Sequence, residues 1–287
     1  MATTYNNLYL DARKALLADG VAAAQIEARE LVCFAADKTR VELLRDMPLY
    51  ASDTTETRLR ELLGRRLAGE PVAYLIGEWE FCGVELDISP EVLVPRDDTE
   101  VLAQRAIQLA KAVPGECRAL DLCAGSGCVG LAIARYADNA RVILAELSES
   151  ALRVCRQNIR RNKLGDRVSA LQADAKLPPP GALWDFDVIA CNPPYIPTTE
   201  CETLDNSVKN FEPRMALDGG ADGLDFYRAI AKNWKSALRL GGTLLFEVGY
   251  GQAGDVELIL AQNGYENIKT HQDTGEIWRV VEATANT

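Results

Sequence analysis

From Thr99 onward, short apolar strands alternate with amphipathic helices, and this alternation constrains the fold more than any other feature of the chain. Strands are predicted over residues 119–122, 141–146, 168–173, 186–190, 243–246 and 277–282, with helices at residues 148–162 and 252–263 among the intervening segments. Helices between successive strands are typical of a parallel sheet that is covered on both faces. The sequence therefore predicts a doubly wound, mostly parallel α/β domain over residues 99–287.

The first seventy residues carry helical signals instead. Two apolar faces have helical spacing, and they consist of Ala28, Leu31, Val32 and Ala35, and of Leu59, Leu62, Leu63 and Leu67. Thr39 with Glu42, and Asp53 with Glu56, have the spacing of capping boxes. We predict a small all-helical N-terminal domain over residues 1–75.

A β-hairpin is predicted between these two regions. Apolar and polar residues alternate over residues 84–88, and a turn at Ser89-Pro90 precedes the apolar segment Val92–Val94. The hairpin would form a linker over residues 76–98.

The charge balance argues against a nucleic-acid partner. Lysine and arginine number 31 and the acidic residues 42, so the net charge of −11 leaves no general basic face for phosphates. No apolar segment has the length needed to span a bilayer, and the N-terminus, from Met1, resembles neither a signal nor a transit peptide. We expect a cytoplasmic protein that contacts neither membranes nor nucleic acids directly.

The cysteines and the single histidine do not suggest a metal site. Cys123 and Cys128 have four residues between them and no second pair at matching spacing, which does not match structural zinc. In a reducing compartment we expect all eight cysteines to be thiols. A Ser–His or Cys–His mechanism would depend on His271 alone, and a lone histidine near the C-terminus is more typical of packing.

A glycine-rich turn, Asp121-Leu-Cys-Ala-Gly-Ser-Gly-Cys-Val-Gly130, follows the first strand of the α/β region. Glycines permit a sharp turn and a close approach of the backbone to a ligand, and the G-x-G-x-x-G spacing also fits nicotinamide-binding proteins. Asp121 could reach a cation or water near the turn. Glu146 could accept hydrogen bonds from ribose hydroxyls, and Asp174 could accept one from the adenine amino group. Together they predict a nucleotide-type ligand at the carboxyl ends of the strands.

Asn192-Pro193-Pro194-Tyr195 follows the apolar strand at residues 186–190 and lies at the same edge of the predicted sheet. The two prolines leave the carbonyls of Asn192 and Pro193 free to accept hydrogen bonds. Asn192 adds a side-chain acceptor, and Tyr195 offers a flat face. Such acceptors suit a planar NH2 group, because holding both hydrogens directs the nitrogen lone pair toward an electrophile.

These two motifs resemble those of class I S-adenosylmethionine methyltransferases that act on amino or amide nitrogen. Further segments resemble the peptide-chain release factor glutamine methyltransferases (the PrmC/HemK family), and the resemblance extends from about residue 69 to the C-terminus. These segments are Gly69–Gly77, Leu93–Glu100, Phe211–Leu217, Asp222–Leu224 and Phe246–Gly249. The resemblance implies a seven-stranded Rossmann-like sheet with an all-helical N-terminal domain that helps to recognise the release factor.

The resemblance also implies a reaction and its residues. A methyl group would pass from S-adenosylmethionine, leaving S-adenosylhomocysteine, to the side-chain nitrogen (N5) of the glutamine in the Gly-Gly-Gln motif of class 1 release factors. Asn192, Pro193, Pro194 and Tyr195 would form the catalytic and glutamine-binding set. The implied cofactor-binding residues are Asp121, Cys123, Ala124, Gly125, Ser126, Gly127, Glu146, Asp174, Ala175 and Asn192. The expected partner is the release factor, and the expected state is a monomer.

Three positions depart from the family pattern. Asp97 replaces a proline of the Arg-Pro-Asp/Glu-Thr-Glu motif, which loosens the entry to a helix but leaves the acids and the cap. Ala175 stands where some relatives carry an aromatic residue that faces adenine, so this wall is expected to be weaker. Cys123 stands where glycine is common.

Two alternative enzyme classes share part of this pattern. An adenine-N6 nucleic-acid methyltransferase would use the same chemistry but needs a basic target-recognition region, which the sequence lacks. A nicotinamide-dependent oxidoreductase would explain the glycines but not Asn192–Tyr195. A non-catalytic binding module would be expected to carry a damaged glycine turn or tetrapeptide, and both are intact here.

Overall fold

The computed structural model describes residues 3–286, so the outermost residues of the ranges 1–75 and 99–287 lie outside the described chain. The helices and strands are α1 (Tyr5–Ala18), α2 (Ala24–Ala36), α3 (Arg40–Asp46), α4 (Asp53–Leu67), α5 (Val72–Ile76), β1 (Glu78–Phe81), β2 (Val84–Asp87), α6 (Thr99–Ala112), β3 (Cys117–Leu122), α7 (Cys128–Tyr136), β4 (Ala140–Glu146), α8 (Glu149–Arg161), β5 (Val168–Gln172), β6 (Phe186–Cys191), α9 (Asn206–Lys209), α10 (Asp225–Asn233), β7 (Leu238–Glu247), α11 (Ala253–Gln262), β8 (Tyr265–Gln272) and β9 (Trp278–Ala285).

The chain forms two compact units. One contains the described residues up to Gly77 together with Asp205–Phe211, and the other contains Glu78–Leu204 and Glu212 to the end of the described chain. The first unit is therefore not a single continuous stretch of sequence, because it includes α9 as well as α1–α5. None of the helices in residues 3–286 is long and apolar enough to cross a membrane.

The first unit is helical, as predicted. The predicted face of α2 is buried, and Leu59 and Leu62 of α4 are also buried, whereas Leu67 is exposed and that part of the prediction is wrong. The capping box of Thr39 and Glu42 is confirmed. The predicted box at Asp53 is wrong by one residue, because the Ser52 hydroxyl caps α4 by accepting the Thr55 N–H.

A hairpin is present, but not at the predicted place: residues 89–92 do form a turn, closed by the Val92 N–H on the Ser89 carbonyl at 3.1 Å, yet this turn does not connect the paired strands. The hairpin joins β1 and β2 through Cys82 and Gly83, which both have positive φ, as two-residue hairpin turns require. Val92–Val94 lies outside the strands because the end of β2 is already paired elsewhere: the Asn158 amide accepts the Asp87 N–H (2.6 Å) and donates to the Asp87 carbonyl (3.1 Å).

Within residues 3–286, the main sheet has seven strands in the order β5-β4-β3-β6-β7-β9-β8. The first five are parallel, while β9 runs antiparallel to β7 and β8. The predicted mostly parallel, seven-stranded sheet is confirmed. The strand order switches direction between the neighbouring strands β3 and β6. Ligands of such sheets bind at the carboxyl ends of the strands, beside this switch point.

Helices cover the sheet and hold its carboxyl edge in place. On one face, Tyr227 of α10 and Leu260 of α11 pack in a buried cluster with Leu120, Ile189 and Phe246 of the central strands. Tyr227 also donates its hydroxyl proton to the Glu247 carbonyl at 2.9 Å, which ties α10 to the end of β7. On the other face lie α6, α7 and α8.

Candidate active site

The glycine turn connects β3 to α7, and two of its glycines are needed for different reasons. Gly125 has φ +55°, and a Cβ atom there would meet nothing within 4 Å, so the turn borders open space. Gly127 has φ +83°, and a Cβ atom there would lie 2.7 Å from Leu144 Cδ1. Gly127 thus allows α7 to begin close to the sheet, while Gly125 leaves room for a ligand.

Two acids at the ends of β3 and β4 support this turn. Glu146 accepts the Gly125 N–H at 2.9 Å with one oxygen and the Ser148 N–H at 2.8 Å with the other. Asp121 is 2% exposed and accepts the Gly130 N–H at 2.7 Å, so its carboxylate contacts α7 as well as lining the site. Burial raises the pKa of Asp121 to about 8, although the Gly130 N–H opposes the rise and the charge of Glu146 adds to it.

The wall beyond β5 is formed by Asp174–Lys176 and α10. Asp174 accepts the Lys176 N–H at 2.8 Å, and the Trp234 indole donates to the Ala175 carbonyl at 2.9 Å. Phe226 lines the same space, with Lys176 Nζ 4.3 Å from its ring centre. An aromatic side chain therefore lines the same cavity as Ala175, on a helix that was not predicted from the sequence. The weaker wall expected at Ala175 stays a prediction.

The Asn192–Tyr195 tetrapeptide follows β6, as predicted, but its side chains face different surroundings. Asn192 and Pro194 line the cavity, whereas Pro193 is buried and Tyr195 is outside the lining residues. No hydrogen bond between protein groups in residues 3–286 engages the carbonyl oxygens of Asn192 and Pro193. The Tyr195 hydroxyl points toward Glu247 Oε1 at 3.5 Å, and the Tyr195 carbonyl accepts from the Gln252 amide at 2.9 Å.

Thr99 lines the cavity together with Asn192, and Glu247 is the last residue of β7; neither was predicted to have a role. Asn192 Nδ2 donates to Thr99 Oγ1 at 3.3 Å. Glu247, at the end of β7, is 2% exposed. Burial raises the pKa of Glu247 to about 7, and the nearby hydroxyl groups of Thr99 and Tyr195 limit the rise.

The helix entry at Asp97 retains its turn without the proline. Glu100 donates its N–H to the Asp97 carbonyl at 3.0 Å, and α6 begins at Thr99. The expected side-chain cap is wrong: Asp98 makes no capping bond and pairs with Arg279 at 2.7 Å. An ion pair between β9 and the start of α6 thus holds the segment that carries Thr99.

One cavity of about 430 Å³, within the range of small-molecule sites, is lined by the glycine turn, the acids of β3 and β4, the Asp174–Lys176 segment and Asn192, whereas Tyr195 and Glu247 lie outside its lining. Its floor contains every predicted cofactor-binding residue except Gly127: Asp121, Cys123, Ala124, Gly125, Ser126, Glu146, Asp174, Ala175 and Asn192. Residues that sequence analysis did not assign form the rest of the wall, among them Val92, Pro95, Thr99, Met215 and Phe226. His271 lies elsewhere, bonded to Glu282 at 2.9 Å, and so has a packing role.

The chain is similar to several known proteins. The family model described as PrmC N-terminal domain matches residues 7–77, and Conserved hypothetical protein 95 matches residues 103–217. The release factor glutamine methyltransferase of Geobacter sulfurreducens is 38% identical over 275 residues, covering 95% of this chain and 94% of its own. That of Thermodesulfovibrio yellowstonii is 35% identical, covering 89% and 90%. The hMettl16 catalytic domain, solved with an RNA hairpin of the MAT2A 3′UTR, shares the fold at TM-score 0.60 and 14% identity, covering 79% and 83%.

Proposed function

Because the chain belongs to the release factor glutamine methyltransferase family, we propose that it methylates the side-chain nitrogen (N5) of the glutamine in the Gly-Gly-Gln motif of class 1 peptide-chain release factors. The methyl donor is S-adenosylmethionine and the product S-adenosylhomocysteine. The observation that carries this proposal is the cavity that Asn192 and Pro194 line together with the glycine turn and the acids at the strand ends. A donor and a planar amide can meet there.

The residues present fit the donor. The open turn at Gly125 and Cys123 suits the methionine part, Glu146 keeps lone pairs for ribose hydroxyls, and Asp174 with Phe226 suits adenine. When bound, S-adenosylmethionine supplies an electrophilic methyl group on a sulfonium. Asp121 lines the cavity and would gain a negative charge when a bound cation favours the ionised form of its carboxyl group.

The glutamine amide is held by acceptors. The Asn192 side-chain oxygen and the Pro193 carbonyl accept the two hydrogens of the amide, which turns the nitrogen lone pair toward the methyl group. The glutamine nitrogen would gain the methyl group that the donor supplies and would lose one hydrogen as a proton, to water or a backbone acceptor. Pro194 excludes water, and Tyr195 supports the tetrapeptide from outside through its hydroxyl and carbonyl contacts.

The helical unit is proposed to recognise the protein substrate. Val41, Leu44, Leu49 and Tyr50 are exposed on it, with Val41 79% exposed, and they suit an apolar face of a partner. Residues 1–75 are assigned to recognition, 76–98 to a connecting hairpin and 99–287 to catalysis, except that Val92 and Pro95 also line the cavity and Asp205–Phe211 belongs to the helical unit. The net charge of −11 favours a protein over a nucleic-acid substrate, and we infer a monomer that acts in the cytoplasm, where translation ends.

Mass spectrometry of a purified release factor after incubation with the protein and S-adenosylmethionine tests this function. We expect one added methyl group on the loop glutamine, and none on a release factor with that glutamine replaced by alanine. Asn192→Ala should nearly abolish turnover while only partly weakening donor binding. Gln262→Ala, which removes an exposed amide at the end of α11, is the matched control and should behave like the unchanged protein. Normal turnover in Asn192→Ala would remove Asn192 from the mechanism.

A further inference from the structure

Two side chains of α8 form hydrogen bonds with the backbone of the glycine turn. The Cys155 thiol donates to the Gly125 carbonyl at 3.1 Å, and the Asn158 amide donates to the Ser126 carbonyl at 2.9 Å. Cys155 and Asn158 are both fully buried, and their spacing of three residues places them on the same face of the helix. Two consecutive carbonyl groups of the turn are therefore bound by α8.

Asn158 also binds the end of the hairpin strand β2. Its amide oxygen accepts the Asp87 N–H at 2.6 Å, and its NH2 group donates to the Asp87 carbonyl at 3.1 Å. A side-chain amide has two protons, so one proton is used on Asp87 and the other on Ser126. Asn158 thus joins two backbone segments that are far apart in the sequence.

Both of these segments lead into the lining of the cavity in the α/β unit. Gly125 and Ser126 belong to the lining, and the chain that continues from Asp87 contributes Glu91, Val92, Leu93 and Pro95. The Gly125 N–H is bonded to Glu146 at 2.9 Å, so Gly125 is held on the amide side as well as through its carbonyl. A single buried amide, that of Asn158, therefore connects the turn to the strand from which the other part of the lining continues.

We propose that Asn158 is a positioning residue for the methyl donor, because it holds the glycine turn in the shape that binds S-adenosylmethionine; this assignment rests on the proposed function. Ser126 has a glycine on each side, and glycine backbones rotate easily. The turn therefore depends on bonds to its carbonyl groups to keep one shape. Without them it samples other shapes, and ordering it again when the methyl donor binds lowers the affinity.

A neighbouring asparagine separates this role from general support of the hairpin. Asn162, which follows the last residue of α8, donates its side-chain amide to the Glu85 carbonyl of β2 at 2.8 Å and to the Asn158 carbonyl at 3.0 Å. Within residues 3–286, the Asn162 side chain has no hydrogen bond to the glycine turn. Asn162→Ala therefore loosens the same hairpin and leaves the bond to Ser126 in place.

Calorimetric titration with S-adenosylmethionine tests the proposal without methyl transfer. Asn158→Ala should raise the Kd about tenfold, the factor that corresponds to one ordinary hydrogen bond. Asn162→Ala is the matched control and should keep the Kd within about twofold. With saturating methyl donor, Asn158→Ala should keep the kcat and the KM for the release factor within about threefold, because these report the chemical step and the protein substrate. An unchanged Kd in folded Asn158→Ala, or the same rise in both variants, overturns the proposal.

Hydrogen exchange in the unchanged protein provides a second test that does not depend on the folding of a variant. Coupling between two sites is reciprocal, so a methyl donor that fixes the turn also stabilises the bonds of Asn158 to β2. The Asp87 N–H should exchange about tenfold more slowly when S-adenosylmethionine is bound. The Arg118 N–H, which donates to the buried Asp187 carboxylate at 2.8 Å near the amino end of β3, is the control and should slow far less. Equal slowing of the two amides overturns the proposal.

The failure of the proposed function would give a different pattern. Binding of S-adenosylmethionine that weakens in Asn158→Ala, in a protein that leaves release factors unmethylated, would disprove the proposed function and keep the positioning role. Methylated release factor together with a Kd that does not respond to Asn158→Ala would disprove the positioning role alone. An unchanged protein that does not bind S-adenosylmethionine would disprove both.

Discussion

Replacing Asp121 by asparagine measures how strongly the fold opposes a charge at the end of β3. Burial raises the pKa of Asp121 from its usual 3.8 to about 8, despite the Gly130 N–H, and the charge of Glu146 adds to the rise. Between these two pH values the folded chain keeps a proton that the unfolded chain has released. The free energy of unfolding therefore falls as the pH rises through this window and levels off above pH 8. At about 1.4 kcal/mol for each pH unit, the ceiling is about 6 kcal/mol.

Urea unfolding of the unchanged protein and of Asp121→Asn at several pH values measures this change in the free energy of unfolding. The amide oxygen of the Asp121→Asn variant would still accept the Gly130 N–H, which lies 2.7 Å from the carboxylate in the unchanged protein, but the amide cannot ionise. Near pH 4 we expect the variant and the unchanged protein to have the same free energy of unfolding. At pH 8 the variant should be more stable by about 3 kcal/mol, which is half the ceiling because local relaxation of the structure lowers the cost of the buried charge. Asp11→Asn, at an exposed site on α1, is the control and should show no such trend. A stability difference that is the same at every pH would refute the argument.

The same carboxyl group links donor binding to pH. A cation in the cavity favours the ionised form of Asp121, so binding of S-adenosylmethionine near pH 7 should release protons. Calorimetric titrations in two buffers of different ionisation enthalpy would detect this release, and Asp121→Asn should greatly reduce it.

Three further predictions concern the walls of the cavity. Phe226→Ala should raise the Kd for S-adenosylmethionine about tenfold, measured by calorimetry. Phe226→Tyr keeps the ring and should leave the Kd unchanged. An unchanged Kd in the alanine variant would exclude contact between Phe226 and adenine. Cys123 has φ +62°, a conformation that glycine adopts with less strain than other residues. Cys123→Gly should therefore raise the free energy of unfolding by about 0.5 kcal/mol. A loss of stability would mean that packing of the thiol outweighs the backbone strain. Trp234→Phe removes the hydrogen bond to the Ala175 carbonyl and should cost about 1 kcal/mol in urea unfolding and weaken donor binding; full stability would show that this bond is replaced.

The carboxyl edge of the sheet was predictable because local sequence determines it. Apolar strands end at Leu122, Glu146 and Cys191, and the residues that follow them line one cavity because parallel strands place their carboxyl ends together. The edge strand β8 was missed because its residues, from Tyr265 to Gln272, are mostly polar, so that the apolar pattern is weak.

Contacts between distant segments account for what the sequence did not predict. The hairpin turn was misplaced because Asn158, from α8, completes the bonding of β2. Phe226 went unnoticed because no local motif marks a ring that a helix 51 residues after Ala175 brings to the cavity. Glu247 was recognised only as part of a family motif, and it comes level with Asn192 only through the pairing of β6 with β7, in which Cys191 is opposite Phe246.

The segment Asp205–Phe211 affects the order in which the protein can acquire its structure during synthesis. It belongs to the helical unit, where the Phe211 ring lies beside Gly69, yet it is encoded after β3, β4, β5 and β6. The helical unit therefore remains incomplete until the ribosome has passed residue 211, although its first 77 residues emerge long before. A truncated gene that ends before this segment would produce helices that lack part of their native packing, and one that begins after Gly77 would produce the segment without its packing partner.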